Sequence, residues 1–174
     1  MSGGGQTGDF AREDLLLRPA TAANAAAVAE IWFHGWRDGH LGHVRAELVE
    51  ARTRESFSSR ASERVGDTVV AVVSGDVAGF AMVVGAEVEQ VYVGAAHRGS
   101  GVADRLLSEA ERQVGEAGHH QAWLAVAAGN ARARRFYTRR GWRDEGPFDY
   151  DAIDGDRIIP VPCHRYVKRL LPPS

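Results

Sequence analysis

Between Glu87 and Glu116 a strand-like stretch, a glycine-rich turn and an amphipathic run follow one another without a break, and few folds accommodate that order. Glu87-Val88-Glu89-Gln90-Val91-Tyr92-Val93 is rich in β-branched and aromatic residues, and strict alternation predicts Glu87, Glu89, Val91 and Val93 on one face. Downstream, Val102, Ala103, Leu106, Leu107, Ala110 and Val114 recur at helical spacing as one buried stripe. The turn Arg98-Gly99-Ser100-Gly101 therefore opens a helix, whose first N–H groups lack internal acceptors and lie at the positive end of the helix dipole. Such an end attracts an anion, and Gly99 and Gly101 have no side chains to hold a ligand away from the donors. The segment predicts a phosphate socket.

Two common nucleotide fingerprints fail here. G-x-G-x-x-G needs a glycine where Asp104 stands, and no Gly-Lys-Ser/Thr follows as a P-loop requires. The pattern present, R-x-x-G-x-A from Arg98 to Ala103, resembles the pyrophosphate-binding motif of the GNAT superfamily, the acyl-CoA-dependent N-acetyltransferases. A second stretch, Asn130 to Trp142, resembles the superfamily's next helix, with an Asn before it, the pair Phe136-Tyr137 inside it and Gly141-Trp142 at its end. Each part also has a local reason. Asn130 is a good N-cap, Ala133, Phe136 and Tyr137 share a face, and Gly141 suits the left-handed position after a helix.

Composition agrees with that resemblance. A chain of 174 residues, 44% hydrophobic and 25% charged, can bury a full core, which predicts one domain over 15–171 behind a flexible N-terminal tail, 1–14. Residues 15–19 read as a strand. Thr21 caps a helix with the stripe Ala25, Val28, Ile31, Trp32 and Trp36, and a second helical segment covers about 45–64. Strands at 68–74 and 77–84 are joined at Gly75-Asp76, and the glutamate-bearing strand and phosphate-site helix follow. A strand at 121–126, the Asn130 helix, and strands near 142–148 and 160–168 complete the chain. The expected class is α/β (α+β), in the order β-α-α-β-β-β-α-β-α-β-β of the GNAT fold. That fold implies a mixed sheet of about seven strands flanked by about four helices.

The formal net charge of −2 offers no general attraction for nucleic acid. Cys163 is the single cysteine, so no disulfide framework is expected, and no apolar run approaches ~20 residues, which predicts no membrane partner and a cytoplasmic location. His40/His43 and His119/His120 lack the Cys or carboxylate partners of a metal set, so no metal is expected.

The resemblance implies acetyl transfer from acetyl-CoA to a primary amine of a small molecule or peptide, by direct attack in a ternary complex. An amine of pKa about 10 must lose a proton before it attacks, and Glu87 and Glu89 are the candidate bases, unranked by sequence. Tyr137 occupies the position of the family's general acid, and the backbone at Val91 and Val93 that of the segment holding pantetheine and the acyl oxygen. Full proton transfer from a tyrosine to a thiolate is uphill by about 2 kcal/mol at ordinary pKa values, so hydrogen-bond donation describes Tyr137 better. Arg98, Gly99, Ser100, Gly101, Val102, Ala103, Asn130 and Arg135 are the further candidates for holding CoA. For the acceptor, the resemblance points to Trp36, His40 and the acidic segment beginning at Asp149, a lining suited to a cationic amine. Homodimers are common among relatives. A non-catalytic acyl-CoA sensor on the same scaffold is the alternative reading, and a nucleotide-binding module of another fold is a more distant one.

Overall fold

The computed structural model describes residues 14–171. The expected tail therefore lies outside the described residues except at Asp14. Seven strands form one mixed sheet: β1 (Leu15–Pro19), β2 (Thr68–Val73), β3 (Asp76–Val84), β4 (Glu87–Val93), β5 (Gln121–Ala127), β6 (Arg143–Asp154) and β7 (Arg157–Arg169), in spatial order β1-β2-β3-β4-β5-β7-β6. The α-helices are α1 (Ala25–His40), α2 (Ala46–Ala51), α3 (Arg54–Glu63), α4 (Val102–Glu116) and α5 (Ala131–Arg139). No described helix is long and apolar enough to cross a membrane.

Three departures from the sequence reading have simple causes. The helical segment expected over 45–64 is two helices, because the Thr53 side chain accepts the Ser56 N–H at 3.1 Å and starts a new helix just after Arg52. The acidic segment from Asp149 is the middle of a long β6–β7 hairpin, in which Phe148, Tyr150 and Ala152 turn inward and Asp149 and Asp151 outward. The β2–β3 turn centres on Ser74-Gly75, one residue earlier than expected. Both have positive φ, 51° and 85°, as a tight hairpin of this hand requires.

The core has one layer on each side of the sheet. On one face α4 buries Val102, Leu106, Leu107, Ala110 and Val114 against β2 to β5, while Ala103 of the predicted stripe is only half-buried. On the other, Val28, Trp32 and Trp36 of α1 meet Phe57 of α3, Val70, Phe80 and Met82. Large side chains of this kind each contribute about 1.5–3 kcal/mol on burial.

What positions the site is a fork in the sheet. The parallel pair β4–β5 is in register only at Glu87 and Trp123, where the Trp123 N–H reaches the Ala86 carbonyl at 3.0 Å. Beyond that point β4 stays with β3 and β5 stays with β7, so the inner edges of both strands part toward Val93 and Ala127. Backbone groups along such an inner edge need partners from elsewhere. Helix α1 crosses beside the opening with a smooth face. A Cβ at Gly35 would run into the Tyr92 ring, and one at Gly39 would stand 2.8 Å from Asn130 Nδ2.

Candidate active site

A cavity of about 620 Å³ opens at the fork, lined by β4 from Glu87 to Tyr92, β5 from Leu124 to Ala127, and residues of α1, α2, α3, α5 and β6. Of the residues singled out in the sequence, Glu87, Glu89, Val91, Asn130, Tyr137, Trp36 and His40 all line it. Asp149 does not. It is exposed on the outer face of β6, and of the acidic segment that it begins Tyr150, Asp151 and Asp154 line the cavity instead. Arg135 is exposed on α5, with the other arginine-rich side of that helix.

The expected common face of Glu87, Glu89, Val91 and Val93 breaks at Glu89. Val88 pairs with Val83 and Gln90 with Met82, which leaves Glu89 as the extra residue of a β-bulge. Past the bulge the alternation is reset. Val91 and Val93 pack with the α4 layer, whereas both glutamates reach groups on the opposite side of the sheet. The bulge also bends β4 away from β5 where the fork widens.

The two glutamates have different partners, which ranks them. Glu89 accepts a bidentate pair from Arg64, at 2.7 and 2.9 Å, and Arg64 also holds Asp67 at 3.0 Å. Both oxygens of that carboxylate are thus committed to a charge-assisted pair. Glu87 accepts one hydrogen bond, 2.8 Å from the Tyr150 hydroxyl, and burial lifts its pKa above the ordinary carboxylate value despite that bond. Burial and the nearby Glu87 carboxylate raise the Tyr150 phenol, so it stays protonated as a donor. Tyr150→Phe removes a bond that stabilises the charged form, so the Glu87 pKa rises further. The acid limb of a kcat/KM profile that depends on ionised Glu87 is expected to move to higher pH in that variant, and an unmoved limb would separate Glu87 from it.

Tyr137 lies at the edge of the α4 layer, edge-on to Phe136 and Trp142 with ring centroids 5.2 and 6.1 Å away. Burial pushes its phenol up, which keeps it a neutral hydrogen-bond donor. Asn130 caps α5 by accepting the Ala133 N–H at 3.1 Å. Trp36 and His40 stack at 4.7 Å, and the His40 Nδ1 lies 2.8 Å from the Trp36 carbonyl. Burial lowers the His40 pKa to about 4, so its ring is neutral at pH 7, Nδ1 donates to that carbonyl, and Nε2 is left as an acceptor.

The turn expected to take a phosphate lies at the start of α4. Gly99 and Gly101 have φ of +75° and +86°, and a Cβ at either would meet nothing within 4 Å. The Arg105 N–H bonds to the Gly101 carbonyl at 3.2 Å, so the N–H groups of Val102, Ala103 and Asp104 precede the first intrahelical bond and point out of the helix end. The Ser100 hydroxyl donates to the His97 carbonyl, fixing the loop. Arg98 pairs with Asp38 of α1 at 2.7 Å across the mouth of the socket. An open anion-binding turn, a strand edge without a partner beyond it and a cavity at the end of that edge fit a ligand with a pyrophosphate and a long amide-bearing arm, as coenzyme A has.

Sequence reasoning missed Arg52, Arg60 and Arg64, all of which line the cavity, whereas Tyr150 lies within the acidic segment already singled out. None of the three left a signal, since each reads in sequence as one more solvated charge.

The model of the acetyltransferase (GNAT) family matches residues 25–142. No match is found among curated proteins. Among solved structures, a GCN5-related N-acetyltransferase from Rhodopseudomonas palustris is similar at TM-score 0.70 and 23% identity, over 89% of this chain and 95% of that one. YncA from Salmonella typhimurium, solved with its cofactor acetyl-CoA, is similar at TM-score 0.66 and 21% identity, over 92% and 96%. PaiA N-acetyltransferase from Thermoplasma acidophilum, in complex with coenzyme A, is similar at TM-score 0.66 and 17% identity, over 89% and 98%. At these identities the likeness speaks for the fold.

Proposed function

The chain belongs to the acetyltransferase (GNAT) family, an acetyl-CoA-dependent one, and from that premise we propose that it acetylates a primary amine of a small molecule by direct attack, with Glu87 as the base. The observation that carries the assignment of roles is the unequal treatment of the two glutamates, one locked by Arg64 and one buried with a raised pKa. Acetyl-CoA supplies the activated thioester. Gly99–Ala103 would hold its pyrophosphate, and the inner edge of β4 at Val93 and Val91, which has no strand partner there, would hold its amide-bearing arm.

An ammonium entering the cavity gives a proton to Glu87, whose raised pKa narrows the gap between donor and acceptor. The freed nitrogen forms a bond to the thioester carbon while β4 backbone N–H groups, already fixed in place, stabilise the developing oxyanion. As the C–S bond breaks, the electron pair stays on sulfur, the neutral Tyr137 hydroxyl donates a hydrogen bond to the thiolate, and the second proton of the acylated nitrogen passes through solvent to sulfur, giving the amide and the free thiol.

Release of free thiol from acetyl-CoA in the presence of a panel of amines tests the reaction, and no release with any amine would sink it. Tyr137→Phe is expected to lower kcat about 10- to 100-fold, the worth of one hydrogen bond to a charged group, with the Kd for CoA within about twofold of wild type. An unchanged kcat would remove Tyr137 from the mechanism.

A further inference from the structure

Two arginines on the helical wall of the cavity lack the anions that buried guanidinium groups ordinarily require. Arg52, only 6% exposed between α2 and α3, makes a single side-chain hydrogen bond, 3.1 Å to the Ile153 carbonyl. Arg60 of α3 lies over the Trp32 ring, 4.4 Å from its centroid, and its Nη1 is buried without a hydrogen-bond partner. Among the described residues neither forms an ion pair. The carboxylates whose charges reach them, Asp154 for Arg52 and Glu89 for Arg60, form their ion pairs elsewhere, with Arg157 at 2.6 Å and with Arg64. The Arg60 pKa falls to about 10, mainly through burial and then through repulsion from Arg52. A charge withdrawn from water costs several kcal/mol unless an opposite charge meets it, and two such cations facing one cavity make a strong demand for an anion.

We propose that the acceptor is an amino acid, its carboxylate seated between Arg52 and Arg60 and its amine delivered to Glu87. This deepens the transferase reading and rests on it for the placement of the amine. The planar guanidinium fork pairs well with a carboxylate, and a cavity of about 620 Å³ suits a small zwitterion beside the thioester. The cationic wall and the glutamate on β4 thus present opposite charges to the two ends of one molecule. Trp36, neutral His40, Asp151 and Asp154 line the cavity together with Arg52, so its charge is mixed, not the purely acidic lining of a cation site.

The test is thiol release with acetyl-CoA and the wild-type protein, using L-amino acids, their carboxamides and the matching decarboxylated amines. At least one amino acid is expected to exceed both its uncharged analogues by about 100-fold in kcat/KM, the worth of two charge-assisted contacts. Arg52→Gln and Arg60→Gln are each expected to shrink that ratio about tenfold, mainly through KM, with Arg60→Lys in between. Carboxamides or decarboxylated amines that react as well as the acids would overturn the proposal. If no amine reacts at all, the transferase reading fails instead, and calorimetric titration with N-acetyl-L-amino acids and their carboxamides decides the subsite. Binding that needs the carboxylate and is lost in Arg60→Gln supports it, and binding indifferent to the carboxylate, or none, overturns it.

Discussion

Glu87→Gln is expected to reduce kcat/KM about 100- to 10,000-fold and to flatten the acid limb of its pH profile, with the Kd for acetyl-CoA little changed. Glutamine keeps the shape and can still accept the Tyr150 hydrogen bond, so the cavity survives while the proton acceptor is lost. The wild-type sign follows from burial. A carboxyl whose pKa lies above its ordinary value is protonated and idle at low pH, and the rate rises as pH passes through that raised value. Glu89→Gln makes the contrast. It breaks the bidentate pair and leaves Arg64, a mostly buried cation, with only Asp67, so it lowers Tm while the wild-type pH profile persists. A Glu87→Gln enzyme with wild-type kcat/KM would end the assignment, and a collapse confined to Glu89→Gln would transfer the role to the bulge residue.

That contrast was not legible in the sequence. Alternation placed Glu87 and Glu89 together, but it assumes an unbroken ladder. Whether β4 carries an extra residue opposite Met82 and Val83 depends on the register with β3, which no single strand encodes. The phosphate turn and the α4 stripe were legible because each is local. A glycine pair before a helix and apolar residues at helical spacing mean the same thing in many contexts. The arginine wall was not. α3 buries only Phe57 and Ala61, so Arg60 reads as one more solvated charge until α1 supplies Trp32 beneath it. Arg52 owes its burial to the β6–β7 hairpin 101 residues later in the chain, through the Ile153 carbonyl. Long-range partners decide such positions, and composition cannot name them.

Trp32→Ala is expected to cost about 3–5 kcal/mol, and at about 2–4 °C per kcal/mol for a chain of this size it should lower Tm by roughly 10 °C. Trp32 is 0% exposed and touches helix and sheet at once, with ring centroids 5.4 Å from Phe57 on α3 and 5.8 Å from Phe80 on β3, and the Arg60 guanidinium of α3 above it. Alanine would open a void that a backbone shared by helix and sheet cannot close. Trp32→Phe separates volume from polarity. The indole N–H is buried without an acceptor, a stranded donor that costs about 1–3 kcal/mol, so phenylalanine sheds that penalty while losing some packing. The two effects oppose, and the Phe variant should melt within about 4 °C of wild type by calorimetry. A Phe variant as unstable as the Ala variant would mean that the N–H finds an acceptor in solution. An Ala variant with wild-type Tm would mean that α1 is not pinned to the sheet through this residue. In the first case the void, and in the second the whole α1 wall that carries Trp36 and His40 to the cavity, would need a different account.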